Sequence, residues 1–266
     1  MAGEHASGGS APLRRVDADG IATLLLDRPE AYNALSVALM EALLAELDRI
    51  AADDATRVVV IAGAGRGFCA GHDLRELRGD PRREAYEHVF GLCSRLMQRI
   101  VTLPKPVIAR VHGVATAAGC QLVASCDLAV AADSARFAVP GVNIGLFCST
   151  PMVALSRAVG RKAAMEMLLT GDMVDAARAR EIGLVSRVVP EAALEREASA
   201  LAAQVASKSP LVLAIGKEAF YRQAEMDLAA AYAYASDVMA RNMMARDAAI
   251  GIDALLSRTR PEWCGR

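Results

Sequence analysis

Two stretches of the chain join a run of β-branched residues to an abrupt passage into glycine and other small residues, where main-chain groups and short side chains can meet a ligand. The first reads Val58-Val59-Val60-Ile61-Ala62-Gly63-Ala64-Gly65-Arg66-Gly67-Phe68-Cys69-Ala70-Gly71-His72-Asp73-Leu74. The second reads Lys105-Pro106-Val107-Ile108-Ala109-Arg110-Val111-His112-Gly113-Val114-Ala115-Thr116-Ala117-Ala118-Gly119-Cys120-Gln121-Leu122. A dinucleotide fingerprint would need its third glycine at position 68, which is Phe68, and a P-loop would need a closing Gly-Lys-Ser/Thr. A single glycine-rich loop of this kind is more often a plain tight turn. The six cysteines (Cys69, Cys93, Cys120, Cys126, Cys148, Cys264) form no Cys-x-x-Cys pair and sit mostly in apolar runs. That spacing points to reduced thiols and away from a disulfide framework or a zinc site, so no metal is expected.

The elements that must hold these loops follow from periodicity. Leu13 to Asp27 alternates around Asp19-Gly20, a two-residue turn signal, and reads as a β-hairpin ending at Arg28-Pro29. Ser36 caps a helix whose Leu39, Met40, Leu43, Leu44, Leu47 and Ile50 recur on one face through Ala51. Arg57 to Ala62 suits a strand covered on both faces. A helix over Arg82 to Val101 leads through Pro104 and Pro106 into a strand at Val107 to Val111, and another strand follows at Leu128 to Ala132. From Pro151 the pattern is nearly all helical: Lys162 to Leu169, Asp175 to Ile182, Glu191 to Ala206, and a long stretch from Leu211 to about Arg246. Only Leu184 to Val189 interrupts it as a strand. The order implies an α/β body with a helical tail, and no fixed-period repeat is visible.

At 266 residues the chain suits one large domain, or one domain with a C-terminal appendage. Its 30 basic and 31 acidic side chains nearly cancel, so no overall field draws it to nucleic acid or an anionic membrane, and an anionic ligand must be gripped locally. Apolar residues make up 54% of the chain but aromatics only 4%; much of the excess is alanine, as in tightly packed helices. Val111 to Ala132, the most apolar stretch, is broken by Gly113, Gly119, Gln121, Ser125 and Asp127 and fails the test for a membrane span. The start of the chain lacks the cationic and apolar regions of a signal peptide. A soluble, cytoplasmic protein with neither nucleic-acid nor membrane partners is therefore expected.

Together the two loops change the reading. Phe68-Cys69-Ala70-Gly71-His72-Asp73-Leu74 and His112-Gly113 through Ala118-Gly119-Cys120-Gln121-Leu122 resemble the two oxyanion-hole segments of the crotonase (enoyl-CoA hydratase/isomerase) superfamily. Arg28-Pro29-Glu30-Ala31-Tyr32-Asn33-Ala34-Leu35 is similar to the family's N-terminal signature. Cys126-Asp127-Leu128-Ala129-Val130-Ala131, Gly171, Ala179-x-x-x-Gly183-Leu184-Val185 and Arg258-Thr259-Arg260-Pro261 follow in the family's order. Within the superfamily the chain most resembles the enoyl-CoA hydratase domain-containing paralogues that lack the catalytic glutamates.

The resemblance implies a crotonase (ClpP-like) fold: a disordered tail over 1–12, a spiral core of ββα units over 13–200, and a C-terminal helical trimerisation region over 201–266. Homotrimers, or hexamers made as dimers of trimers, are implied with it. It implies an acyl-CoA or enoyl-CoA thioester as partner, with coenzyme A entering as part of the substrate and no separate cofactor. The donors to the thioester oxygen would be the main-chain N–H groups of His72 and Ala118, which stabilise a developing enolate without reorganising. Ala118 would open a helix over Gly119 to Ala124 and add its dipole to the same oxygen. Arg28, Ala31, Ala70, Asp73 and Leu74 would line the adenine and pantetheine, beside His72 and Ala118.

The chain departs from a hydratase where the two glutamates should stand. Those positions hold Gln121 and Gly141, and the site of a further aspartate used by some relatives holds Ser149. A neutral amide can orient water but cannot take its proton, and glycine offers nothing. Cys148, Ser149 and Asn143 are the candidate replacements, against plainer roles for Cys148 as a buried small hydrophobe and for Ser149 as the cap of a helix near Pro151. Asp127 reads as serving a local turn. His72 either faces the acyl pocket and titrates near neutrality or points outward. The expected function is an enoyl-CoA hydratase/isomerase-like lyase of fatty-acid metabolism; the alternative is a non-catalytic or hydrolytic acyl-CoA binder.

Overall fold

The computed structural model describes residues 11–266. The tail expected over 1–12 lies, up to residue 10, outside the described residues, while the Pro12 carbonyl accepts from the Asp27 N–H at 2.8 Å. Asp19 and Gly20 both take positive φ (51° and 76°) and close the hairpin of β1 (Leu13–Ala18) and β2 (Ile21–Leu26). Ser36 caps α1 (Val37–Ala51), its hydroxyl accepting from the Leu39 N–H at 3.2 Å. β3 (Val58–Gly63) is buried along its whole length beside β2, as its unbroken apolar run requires.

The chain continues through α2 (Leu74–Gly79), α3 (Arg83–Thr102), β4 (Val107–Val111), β5 (Val114–Thr116), α4 (Ala118–Ser125), β6 (Leu128–Ala132) and β7 (Arg136–Ala138). Then come α5 (Ser149–Ala158), α6 (Arg161–Thr170), β8 (Val174–Asp175), α7 (Ala176–Glu181), β9 (Arg187–Val189) and α8 (Leu194–Ala206). α9 (Pro210–Gln223), α10 (Leu228–Met243) and α11 (Arg246–Ser257) end it. A six-stranded sheet runs β1-β2-β3-β4-β6-β9, parallel except at the hairpin, and a three-stranded sheet runs β5-β7-β8. The pairs β4/β5 and β6/β7 each give one strand to the large sheet and the next to the small one before a helix returns the chain. This is the crotonase spiral of ββα turns, with helices beyond it.

Several elements differ from the sequence reading. β5, β7 and β8, two or three residues each, were not anticipated because so short a strand leaves no period to read. The stretch from Leu211 to Arg246 is two helices: the Asp227 carboxylate accepts from the Ala230 N–H at 3.0 Å and starts α10 with no proline or glycine at the break. Ser149 does not cap α5. It is the first helical residue, and its hydroxyl donates to the Phe147 carbonyl at 3.3 Å. The expected division between 200 and 201 falls inside α8, whose Leu201 and Ala202 are buried with Leu194 and Ala198 against the large sheet.

No residue of α9 or α10 falls in the fully buried core, and polar bonds from Lys217 and Tyr221 anchor α9. Lys217 of α9 donates to the Asp127 carboxylate at 2.7 Å and to the carbonyls of Ile100 (2.8 Å) and Lys105 (3.0 Å). Tyr221 donates to the other Asp127 oxygen at 2.9 Å, and the Val107 N–H to the first at 2.7 Å. Asp127 therefore ties a helix 90 residues away to the start of β4, well beyond the local turn expected of it. No single helix among the described residues is long and apolar enough to cross a membrane; α8 and α9 reach that composition only as a pair bent by 101°.

Candidate functional site

Reciprocal main-chain bonds stitch the two glycine loops together. Phe68 N–H donates to the His112 carbonyl at 3.0 Å, Cys69 N–H to Val114 at 3.1 Å, and Thr116 N–H back to Cys69 at 2.9 Å. The Thr116 hydroxyl donates to the Ala70 carbonyl at 3.0 Å, and a ring nitrogen of His112 lies 2.8 Å from the Gly65 carbonyl. Gly119 is required here: any Cβ at that position would overlap the Cys69 carbonyl. Asn33, fully buried at φ 54°, donates to the carbonyls of Ala64 and Gly67 at 2.8 Å each and accepts from the Arg28 N–H at 2.9 Å. Sequence reasoning gave Asn33 no role, although asparagine is a residue that tolerates this left-handed backbone and can bond it locally.

At the centre, Gly71 adopts φ 99°, and a Cβ there would stand 2.9 Å from the Ala117 Cβ and 3.3 Å from the Ala118 nitrogen. Residues 71–72 and 117–118 therefore run side by side. Leu35 brackets His72, donating to the Gly71 carbonyl at 2.7 Å and accepting from Asp73 N–H at 3.3 Å. The His72 N–H itself has no acceptor among the described residues, and neither has that of Ala118, the first residue of α4. Ala117 turns the chain into that helix at φ 50°, ψ −118°, a conformation that costs an alanine about 1–3 kcal/mol and is held by its surroundings.

Around this pair, Gln121 is 4% exposed on α4 and its Oε1 accepts from the Cys93 thiol at 3.8 Å. Position 141 has no room for a carboxylate: a Cβ on Gly141 would come within 2.7 Å of the Leu146 carbonyl and 2.9 Å of the Cys148 sulfur. Burial raises the Cys148 thiol above its ordinary pKa despite a main-chain contact with Gly141, and pushes Cys69, Cys93 and Cys120 up to about 12, so all are protonated at neutral pH. Ser149 and Asn143 are exposed.

The His72 ring does not point outward. It stands edge-on to Phe90 of α3 at 5.3 Å, and both ring nitrogens are buried without a hydrogen-bond partner. Desolvation lowers its pKa against a smaller opposing contact with the Leu35 backbone, so the ring is neutral at pH 7.

The remaining expected ligand residues form one neighbourhood. Arg28 pairs with Asp73 at 2.9 Å and donates to the Ala34 carbonyl at 2.6 Å. Burial of Asp73 is outweighed by Arg28 and the Arg75 N–H, which hold its carboxyl below the usual range. Ala31 N–H donates to the Arg28 carbonyl at 3.0 Å and Ala70 N–H to Tyr32 at 3.0 Å, while Leu74 projects with 52% of its surface exposed. Arg66 lies over the Tyr32 ring at 5.1 Å.

A sequence profile described as Enoyl-CoA hydratase/isomerase matches residues 17–266. The chain belongs to the enoyl-CoA hydratase/isomerase family. The crystal structure of an enoyl-CoA hydratase from Mycobacterium smegmatis is 54% identical, with a TM-score of 0.93 over 96% of this chain and 99% of that one. The crystal structure of human enoyl-CoA hydratase domain-containing protein 3 is 46% identical, with a TM-score of 0.92 over 95% and 100%. The rat protein named enoyl-CoA hydratase domain-containing protein 3, mitochondrial, is 48% identical over 92% of this chain and 82% of its own length. These names correct the cytoplasmic expectation: the rat relative and its human counterpart are both called mitochondrial. A near-neutral charge balance does not separate one compartment from the other.

Proposed function

We propose that this chain binds an acyl-CoA thioester with the carbonyl oxygen between the N–H groups of His72 and Ala118, and that these donors stabilise an enolate at that carbonyl. The observation that carries the reading is the side-by-side packing of 71–72 on 117–118, where neither the His72 nor the Ala118 N–H has an acceptor among the described residues. Donors fixed before the charge develops are worth about 10²–10³ in rate each. Arg28, Ala31, Ala70, Asp73 and Leu74 would then lie along the adenine and pantetheine. Enoyl-CoA and related acyl-CoA thioesters are the substrate class, in keeping with the names of the relatives.

Isomerisation forms the enolate by removing a proton from the α-carbon, whereas hydration forms it by adding water, which must lose a proton, and then protonates the α-carbon. Gln121 cannot accept either proton at neutral pH, and the protonated Cys148 thiol occupies the space beside Gly141. Each missing acid–base group removes roughly 10²–10⁴ in rate. The chain is therefore a strong thioester binder and a poor hydratase. Calorimetric titration with butyryl-CoA beside a crotonyl-CoA hydration assay tests this. Saturable binding with hydration far below a glutamate-bearing homologue is expected; no binding of any acyl-CoA would sink the proposal.

We also propose that α9–α11 are covered by other copies of this chain in a trimer or a dimer of trimers. Phe220, Leu228, Tyr232, Met239, Leu255 and Leu256 lie between 62% and 78% exposed on helices that bury almost nothing within the subunit. Light scattering coupled to gel filtration should return three or six chains, and a monomer at micromolar concentration would refute the assembly.

A further inference from the structure

One thiol of the six differs from the rest in its surroundings. Cys69, Cys93 and Cys120 have no accessible surface, the Cys126 thiol donates to the Leu122 carbonyl at 3.2 Å, and Cys264 lies exposed beyond α11. Cys148 keeps 8% of its surface, and its sulfur stands 2.9 Å from the point where a side chain on Gly141 would begin. Two links tie it to the paired loops. The Ala117 N–H donates to the carbonyl of Ala138, shortly before Gly141, at 2.9 Å, and α5, which Cys148 precedes, packs against α4. The Cys148 thiol is also close enough to Cys120, in the first turn of α4 after Ala118, to raise that thiol. In the same turn Gln121 is 4% exposed; its oxygen is taken by Cys93, while its NH₂ group has no acceptor among the described residues and is not sealed from solvent. A buried amide donor left open beside a thiol and two free main-chain N–H groups calls for a ligand that meets them.

We propose that Cys148 captures α,β-unsaturated acyl-CoA thioesters covalently, its sulfur adding to the β-carbon of the double bond. The proposal rests on the thioester reading above and adds a covalent step to it. The step balances without a further reactant: the bond from sulfur to the β-carbon forms, the π pair of the double bond moves onto the thioester oxygen as an enolate, and the proton that left sulfur ends on the α-carbon. The charge arriving on that oxygen is what the His72 and Ala118 N–H groups hold, for about 10²–10³ in rate each. Position 141 carries no carboxylate to activate water, and the group beside it brings both a nucleophile and a proton of its own. Only the thiolate attacks, and burial keeps it scarce, so the capture is slow and depends on the two donors.

The test is mass spectrometry of the full chain after incubation with crotonyl-CoA or with saturated butyryl-CoA and an acid quench, followed by peptide mapping. Crotonyl-CoA should add its whole mass once per chain, on the tryptic peptide 137–157, whose one cysteine is Cys148; butyryl-CoA should add nothing. Prior saturation with butyryl-CoA should slow the labelling at least roughly tenfold, the loss expected when the ligand site is occupied. Cys148→Ala should abolish the label and Cys264→Ala should leave it unchanged. The mapping uses the wild type alone, so it decides the matter even if Cys148→Ala does not fold. Label confined to Cys264, label that butyryl-CoA does not slow, or a gain of the acyl group alone with release of CoA overturns the capture. So does an unmodified Cys148 in a chain that binds butyryl-CoA by calorimetry, an outcome that leaves thioester binding intact. Failure to bind either thioester removes the thioester reading and this one with it.

Discussion

The main-chain nitrogen of Ala118 lies 3.3 Å from the point where a side chain on Gly71 would begin. The two loops reach this distance because residue 71 has no Cβ and takes φ 99° at no steric cost. Gly71→Ala should therefore strain the backbone and push Ala118 away together. A loss of about 1–3 kcal/mol in stability is expected, with at least tenfold weaker butyryl-CoA binding, read by urea unfolding and calorimetry. Unaltered binding in a folded variant would separate these loops from the ligand.

Restoring a glutamate at position 141 should fail by itself. The Leu146 carbonyl and Cys148 sulfur occupy the space its Cβ needs, so Gly141→Glu should lower stability by about 1–3 kcal/mol and add no hydratase activity. Adding Cys148→Ala removes one of the two obstructions and should recover part of the loss, seen as a rise in Tm over the single variant.

Lys217 is 6% exposed and its ammonium has three acceptors, so the pair with Asp127 is a buried one despite the cost of desolvating it. Burial pulls the Lys217 pKa down, and Asp127 opposes the change. Lys217→Met would leave Asp127 facing only Tyr221 and the Val107 N–H. We expect a loss of about 3 kcal/mol or more in denaturant unfolding, and a smaller loss of roughly 1–3 kcal/mol for Tyr221→Phe. Equal, negligible losses for both would show that α9 is held by its apolar contacts instead.

Asp247, 1% exposed, accepts from the Ser209 hydroxyl at 2.5 Å and from the N–H groups of Cys264 and Gly265 at 2.7 and 3.0 Å. Burial alone would raise its pKa, but these donors outweigh it and hold the carboxyl below the usual range. A depressed folded-state pKa contributes stability that is fully present above the ordinary carboxylate value of about 4 and is lost as pH falls through the folded value. Trp263, the one tryptophan, donates to the Ser207 carbonyl at 2.9 Å in the same C-terminal strap and reports on it. Its emission should stay constant from pH 7 to about 5 and shift red only in more acid solution. In Asp247→Asn the shift should already be present at pH 7.

Much of the architecture is legible in the chain. β4 and β6 fall on the very residues where apolar runs begin after Pro106 and Asp127, and Asp19-Gly20 and Ser36 place the hairpin and α1. The sequence also shows which atoms the two loops offer, because glycine and alanine leave main-chain N–H groups as the chemistry available there. The break before α10 escaped because an aspartate cap is a weak signal inside an alanine-rich helical pattern.

By itself, then, the sequence determined the hairpin, α1, the strands β3, β4 and β6, the two glycine loops and the absence of a glutamate at positions 121 and 141, since each is written in neighbouring residues. The tertiary structure alone decided that Cys148 fills the space beside Gly141, that Asp127 anchors Lys217, and that the His72 ring is buried against Phe90 with nothing to bond. Periodicity and turn chemistry act over a few residues along the chain. Free volume and partner availability are set by segments that meet only after the chain has folded.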